Sequence, residues 1–143
     1  MDPSGRFAYV TNFASNDGGV SVFTINPNTG ALTAEAPVAA AYPAWVTVDP
    51  SGRFVYVADF SYSDNVLVFA INSITGALTG RTAATAGDLP SSVTVDPSGR
   101  FAYVTNYFSD SVSVFAINPT TGALTAETTT PVGLRPWSVV ITP

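Results

Sequence analysis

DPSGRFAYVTN occupies residues 2–12 and returns, letter for letter, at 96–106; a near copy, DPSGRFVYVAD, lies between them at 49–59. The Asp of this phrase recurs every 47 residues, at Asp2, Asp49 and Asp96. Three further phrases recur in step. VSVFTIN (20–26), VLVFAIN (66–72) and VSVFAIN (112–118) come first. NPNTGALT (26–33), NSITGALT (72–79) and NPTTGALT (118–125) follow. The series closes with PAWVTVDP (43–50), PSSVTVDP (90–97) and PWSVVITP (136–143). A period of this length marks a supersecondary unit repeated along the chain.

Each phrase reads as a strand or a turn. FAYVTN and VSVFTIN are short and rich in β-branched and aromatic residues, and both alternate faces are apolar. DPSG fits a type I turn, with Asp, Pro and Gly at its first, second and fourth positions. NPNTG fits a longer hairpin loop whose Gly supplies positive φ. GALTAE, with Pro37 and Pro131 nearby, suits an outer edge strand, because Pro gives up a ladder donor. No window carries a helical period. Each repeat therefore predicts four antiparallel strands: A (WVTV type), B (FAYVTN), C (VSVFTIN) and D (ALTAEA). Four-stranded sheets at this period predict an all-β fold of β-propeller blades. A β-solenoid, the alternative, has a shorter period per coil. The chain divides as one three-blade unit, with repeats 2–48, 49–95 and 96–142. It opens inside the A–B turn, giving the order BCD, ABCD, ABCD, A, and the last A strand is expected at Trp137 to Ile141.

FAYVTN followed by VSVFxIN and TGALT resembles the YVTN repeat of the lactonase-like propeller family, over essentially the whole chain. The resemblance implies a ring that is typically seven-bladed. Some members resemble 6-phosphogluconolactonase; others look like cell-surface or secreted proteins. The departure is in number, three repeats against seven.

Composition narrows the function classes. The chain is 46% hydrophobic and 10% charged, with net charge −5. It has no Lys and no His, which argues against a nucleic-acid partner needing a basic stripe. Without Cys there is no disulfide or thiolate metal site, and no cofactor motif is present. No apolar run approaches 18 residues, so neither a membrane span nor a leader before Asp2 is expected.

Columns identical in all repeats, Asp2/Asp49/Asp96 and Arg6/Arg53/Arg100, read as turn caps and as arginines lying along the strands, with an anion ring as the functional alternative. Candidate site residues are those near the B–C and D–A loops that break the repeat. Asn12, Asp59 and Asn106 end strand B, either holding a hard cation at a channel mouth or tying down loops. Trp45 and Trp137 begin strand A, either stacking a ligand or plugging the core. Tyr42, Asp88 and Arg135 lie on D–A loops, where an Arg and a carboxylate would steer an acid or sugar or form a surface pair. Asp59 and Asp64 are the nearest thing to a carboxylate pair. The usual base and nucleophile pairs are missing, and no catalytic residue is assigned.

Three blades are too few to close a ring and would leave two apolar faces wet. The expected partner is therefore a second copy, a homodimer of six blades, in preference to a homotrimer of nine. The sequence reading is a self-assembling, non-catalytic propeller scaffold. A lactone hydrolase, or small-ligand binding at the channel mouth, is the alternative.

Overall fold

The computed structural model describes residues 4–14 and 18–143. Asp2, the first copy of the turn-capping aspartate, lies outside them. The described residues form eleven strands and no helix: β1 (Phe7–Asn12), β2 (Gly19–Ile25), β3 (Leu32–Ala34), β4 (Pro43–Val48), β5 (Phe54–Asp59), β6 (Asn65–Ile71), β7 (Leu78–Thr85), β8 (Pro90–Val95), β9 (Phe101–Asn106), β10 (Ser111–Ile117) and β11 (Leu124–Pro131). They make three antiparallel sheets in the orders β1-β2-β3, β4-β5-β6-β7 and β8-β9-β10-β11. The result is an all-β, propeller-like row of sheets packed face to face.

The turns explain why the phrases repeat. In the second copy Gly52 N–H donates to the Asp49 carbonyl at 2.9 Å, closing the turn. One Asp49 carboxylate oxygen accepts from the amides of Arg53 (2.9 Å) and Phe54 (2.8 Å), and the other from Ser51 (3.1 Å). Asp96 repeats the pattern with Arg100, Phe101 and Ser98. At the hairpins, the side chains of Asn26, Asn72 and Asn118 each accept two backbone amides, two and three residues on. Short side chains thus satisfy the backbone groups that each turn frees.

The core consists of the two seams between sheets. Val20 and Val22 meet Val55, Val57, Leu67 and Phe69 in one. Phe54, Tyr56, Ala58, Val66 and Val68 meet Val93, Ala102, Val104, Phe115 and Ile117 in the other. Successive strand residues point to opposite faces, so the middle sheet serves both seams and every residue of β5 is buried.

The arginine column belongs to these seams. Arg6 Nη2 donates to the carbonyl of Ser73 at 2.8 Å, and Arg53 Nη2 donates to that of Pro119, each on the hairpin of the following sheet. Tyr9 and Tyr56 hydroxyls donate to the carbonyls of Gly76 (2.8 Å) and Gly122 (3.0 Å) on the same hairpins. Burial, reinforced by the nearby Asp49 carboxylate and opposed by Arg53, pushes the Tyr56 phenol far above its ordinary pKa. It therefore stays protonated and donating.

One expected strand is absent. Residues 136–143 form no ladder, because no described strand lies beside them to exchange backbone hydrogen bonds. Side chains hold the segment instead. Ser91, Thr105 and Thr94 hydroxyls donate to the carbonyls of Pro136 (3.0 Å), Trp137 (3.2 Å) and Val139 (2.7 Å). The outer strands are also unequal, since β3 has three residues where β7 and β11 have eight.

Candidate functional site

Strands β1, β5 and β9 run from the DPSG turns towards one end of the sheets, where the B–C and D–A loops gather. The last residue of each B strand is the Asn12/Asp59/Asn106 column. Asn106 is fully buried. Its amide nitrogen donates to Ser111 (3.0 Å) and Ser113 (2.8 Å), and its oxygen accepts from Gly87 N–H at 3.0 Å. Asp59, 2% exposed, accepts from Tyr42 N–H at 3.1 Å. Asn12 is exposed and donates to Ser21 Oγ at 2.7 Å. In β5 and β9 this position ties the D–A loop to the B–C loop. It sits opposite Pro43 and Pro90, which bring no N–H to the ladder.

Asp59 and Asp64 hold different backbone groups. Asp64 accepts from Leu89 N–H at 3.1 Å, and its equivalent in the next repeat, Asp110, accepts from Arg135 N–H at 2.7 Å. Four non-glycine residues here have positive φ: Asp64, Leu89, Asp110 and Arg135, at 55°, 52°, 49° and 52°. Left-handed backbone is costly for Leu and Arg, so two aspartates fix two strained loop residues, each directly before a proline.

The feature that the sequence reading missed is an aromatic row. Phe13, Phe60 and Tyr107 each follow the Asn/Asp column by one residue, so the signal was present as NF, DF and NY. Phe13 packs against Tyr42 (5.6 Å between centroids) and Phe60 (6.1 Å). Phe60 meets Tyr107 (5.6 Å) and Trp137 (5.8 Å). Tyr107 touches Phe108 (5.3 Å), and Trp137 stands edge-on to it (5.7 Å, 88°). The guanidinium of Arg135 lies 5.8 Å from the centre of the Tyr107 ring. Six rings thus form one continuous strip across the loop end, capped by a cation. Phe13, Phe108 and Trp137 are more than half exposed.

Tyr42, Trp137 and Arg135 therefore come together. Trp45 takes a different place, lining an open groove of about 380 Å³ between β1 and β4 with Tyr9, Val10 and Thr11. Asp88 is exposed, and its backbone N–H donates to Ser109 Oγ at 3.1 Å. Among the described residues no three of Asp and Glu cluster as metal ligands would.

An all-β row of antiparallel sheets joined by hairpins, with its long loops at one end, defines a propeller-like protein. Its repeat is that of the lactonases: the family model "Lactonase, 7-bladed beta-propeller" matches residues 1–141, and the chain belongs to that family. Curated proteins compared by sequence give no match. Solved structures do. A candidate 6-phosphogluconolactonase from Bacteroides uniformis superposes with a TM-score of 0.87 at 24% identity, over 100% of this chain and 43% of its own. One from Bacteroides fragilis gives 0.85 at 24%, over 93% and 38%. The periplasmic gluconolactonase of Pseudomonas aeruginosa gives 0.82 at 27%, over 93% and 39%. The chain spans about two fifths of these relatives.

These likenesses overturn the expectation of a non-catalytic self-assembling scaffold and favour the lactone-hydrolase alternative. The scaffold reading rested on the need to close a ring of only three blades and on the lack of His, Cys and Lys within 143 residues. A propeller's loop face is assembled from every blade, so a partial set of blades need not carry every catalytic group.

Proposed function

We propose that the three sheets are three blades of a larger lactonase-like ring, and that the loop end of that ring binds and hydrolyses a sugar lactone. The aromatic strip carries the reading. Exposed ring faces offer flat apolar surface to the C–H face of a sugar ring, and such sites pair an apolar wall with a few fixed polar groups. Arg135 supplies one of them, a planar donor fork suited to a carboxylate or phosphate on the substrate. Its four fellow arginines lie elsewhere, three at the DPSG turns and Arg81 on β7. Family membership and the likeness to a gluconolactonase support lactone chemistry in particular.

Hydrolysis adds water to the lactone carbonyl and opens the ring ester to an acid and an alcohol. Asp59, Asp64 and Asp110 are engaged with backbone amides, which leaves Asp88, among the described residues, as the exposed loop-end carboxylate to hold a water. The test is hydrolysis of gluconolactone and its 6-phosphate, followed by acid release. Arg135→Asn removes the cation while Asn tolerates the positive φ. It is expected to raise KM for the phosphorylated lactone by about tenfold or more while affecting gluconolactone less. Trp137→Ala is expected to weaken both. Hydrolysis no faster than in buffer, or rates indifferent to both changes, would overturn the reading.

A further inference from the structure

We infer that Asp110 is a positioning residue for the loop-end cation: it holds Arg135 in the left-handed backbone that lays the guanidinium against Tyr107. Its part in substrate selection rests on the lactone reading; the geometry stands by itself, because the molecule builds the device twice. Asp64 and Asp110 each lie two residues before the valine that opens VLVFAIN or VSVFAIN. Each clasps a D–A loop at two points. The Asp64 carbonyl accepts from Ala86 N–H at 2.8 Å and its carboxylate from Leu89 N–H at 3.1 Å. The Asp110 carbonyl accepts from Val132 N–H at 2.8 Å and its carboxylate from Arg135 N–H at 2.7 Å. Both aspartates and both clasped residues have positive φ. Leu89 and Arg135 each precede a proline, where extended backbone is the ordinary choice. The carboxylate therefore selects a conformation that neither residue favours alone.

The first D–A loop differs in both respects. The place two residues before Val20 belongs to Gly18, which has no carboxylate. Tyr42, the residue before Pro43, is not left-handed, and its N–H goes to Asp59 of β5 at 3.1 Å. The corner is thus left-handed where the aspartate is present and not where it is absent. Reversing the sign of φ swings Cβ to the other side of the chain path, so the corner's backbone decides where its side chain goes. At Arg135 the guanidinium meets the Tyr107 ring, 5.8 Å from its centre. Arg135 is exposed and rich in rotamers, so the ring alone holds it weakly. Fixing the root of the side chain removes freedom before a phosphate arrives, and a pre-organised donor fork loses less on binding.

The test has one arm without substrate and one with it. In the free chain, the Nε–H NMR signal of Arg135, assigned by its loss in Arg135→Asn, is expected to show a restrained side chain. Asp110→Gly tolerates the positive φ but removes the acceptor, and is expected to bring that signal to the values of a mobile arginine. Asp110→Asn retains an acceptor oxygen and the tolerance of positive φ, and is expected to keep the side chain restrained. With substrate, Asp110→Gly is expected to raise KM for the phosphorylated lactone at least about threefold, with kcat and the unphosphorylated lactone affected less. Adding it to Arg135→Asn is expected to change nothing further. Asp49→Asn weakens a turn cap at the other end of the sheets; it is expected to lower the melting temperature and leave both readouts in place. An Arg135 signal already mobile in the wild type, or unchanged in Asp110→Gly, overturns the inference. So does a KM ratio between the two lactones that Asp49→Asn shifts as far as Asp110→Gly. The first arm needs no hydrolysis, so failure of the lactone reading and failure of this inference are told apart.

Discussion

β1 and β9 have the same six residues, FAYVTN, and bury opposite faces. β1 buries Phe7 and leaves Val10 and Asn12 exposed, whereas β9 buries Ala102, Val104 and Asn106 and leaves Phe101 and Tyr103 half-covered. β5, with the related FVYVAD, buries all six. The difference lies in neighbours. β1 has a sheet on the face of Phe7 and Tyr9, β9 has one on the face of Ala102 and Val104, and β5 has one on each. A strand's period of two divides its side chains between faces, but only a packed neighbour decides which face leaves water.

The largest effect should come from the phenylalanines that begin the two identical strands. Phe7→Ala removes a buried ring from a seam and should cost about 3–5 kcal/mol. Phe101→Ala, in dilute solution, should cost less than half of that. Urea melts of the two variants measure the ratio. Equal losses would mean that β9 is already covered as β1 is, and the comparison would break.

The valines should reverse the order. Val104 is 0% exposed and Val10 43%. Val104→Thr places a hydroxyl in the seam with Val93 and Phe115 and should cost about 1–3 kcal/mol. Val10→Thr should stay within about 0.5 kcal/mol. A crossed pattern, with Phe sensitive in β1 and Val sensitive in β9, is a signature that neither strand's sequence contains.

The smallest effect concerns the turn before β9. Burial alone would raise the pKa of Asp96, but the Ser98 hydroxyl and the amides of Phe101, Arg100 and Ser98 outweigh it and hold the carboxyl below its ordinary 3.8. The folded state then binds the proton less readily than the unfolded chain. The resulting stabilisation is present above the ordinary value and is lost as pH falls through the lowered one. Asp96→Asn should be slightly less stable than wild type at pH 7, and the gap should narrow below about pH 4. A gap that widens with acid would show that the carboxylate is not the stabilising form.

The sequence alone determined the all-β class, the three-fold repeat, the turn chemistry of DPSG and NxTG, and the resemblance to lactonases. These are local: an Asp caps its own turn, a Gly takes its own φ, and alternating apolar residues make a strand wherever it sits. The tertiary structure decided the rest. It turned the arginine column into inter-sheet clasps, because Arg53 finds its acceptor in another repeat. It sank Asn106 and Asp59 under loops, and set Trp45 apart in a groove while Trp137 joined the aromatic strip. It left 136–143 without a ladder, since a strand needs a backbone beside it as well as a β-prone sequence. Six rings from four loops and the segment after β11 met because the sheets stack at a fixed spacing, and contacts between residues so far apart along the chain exist only once that stacking is made.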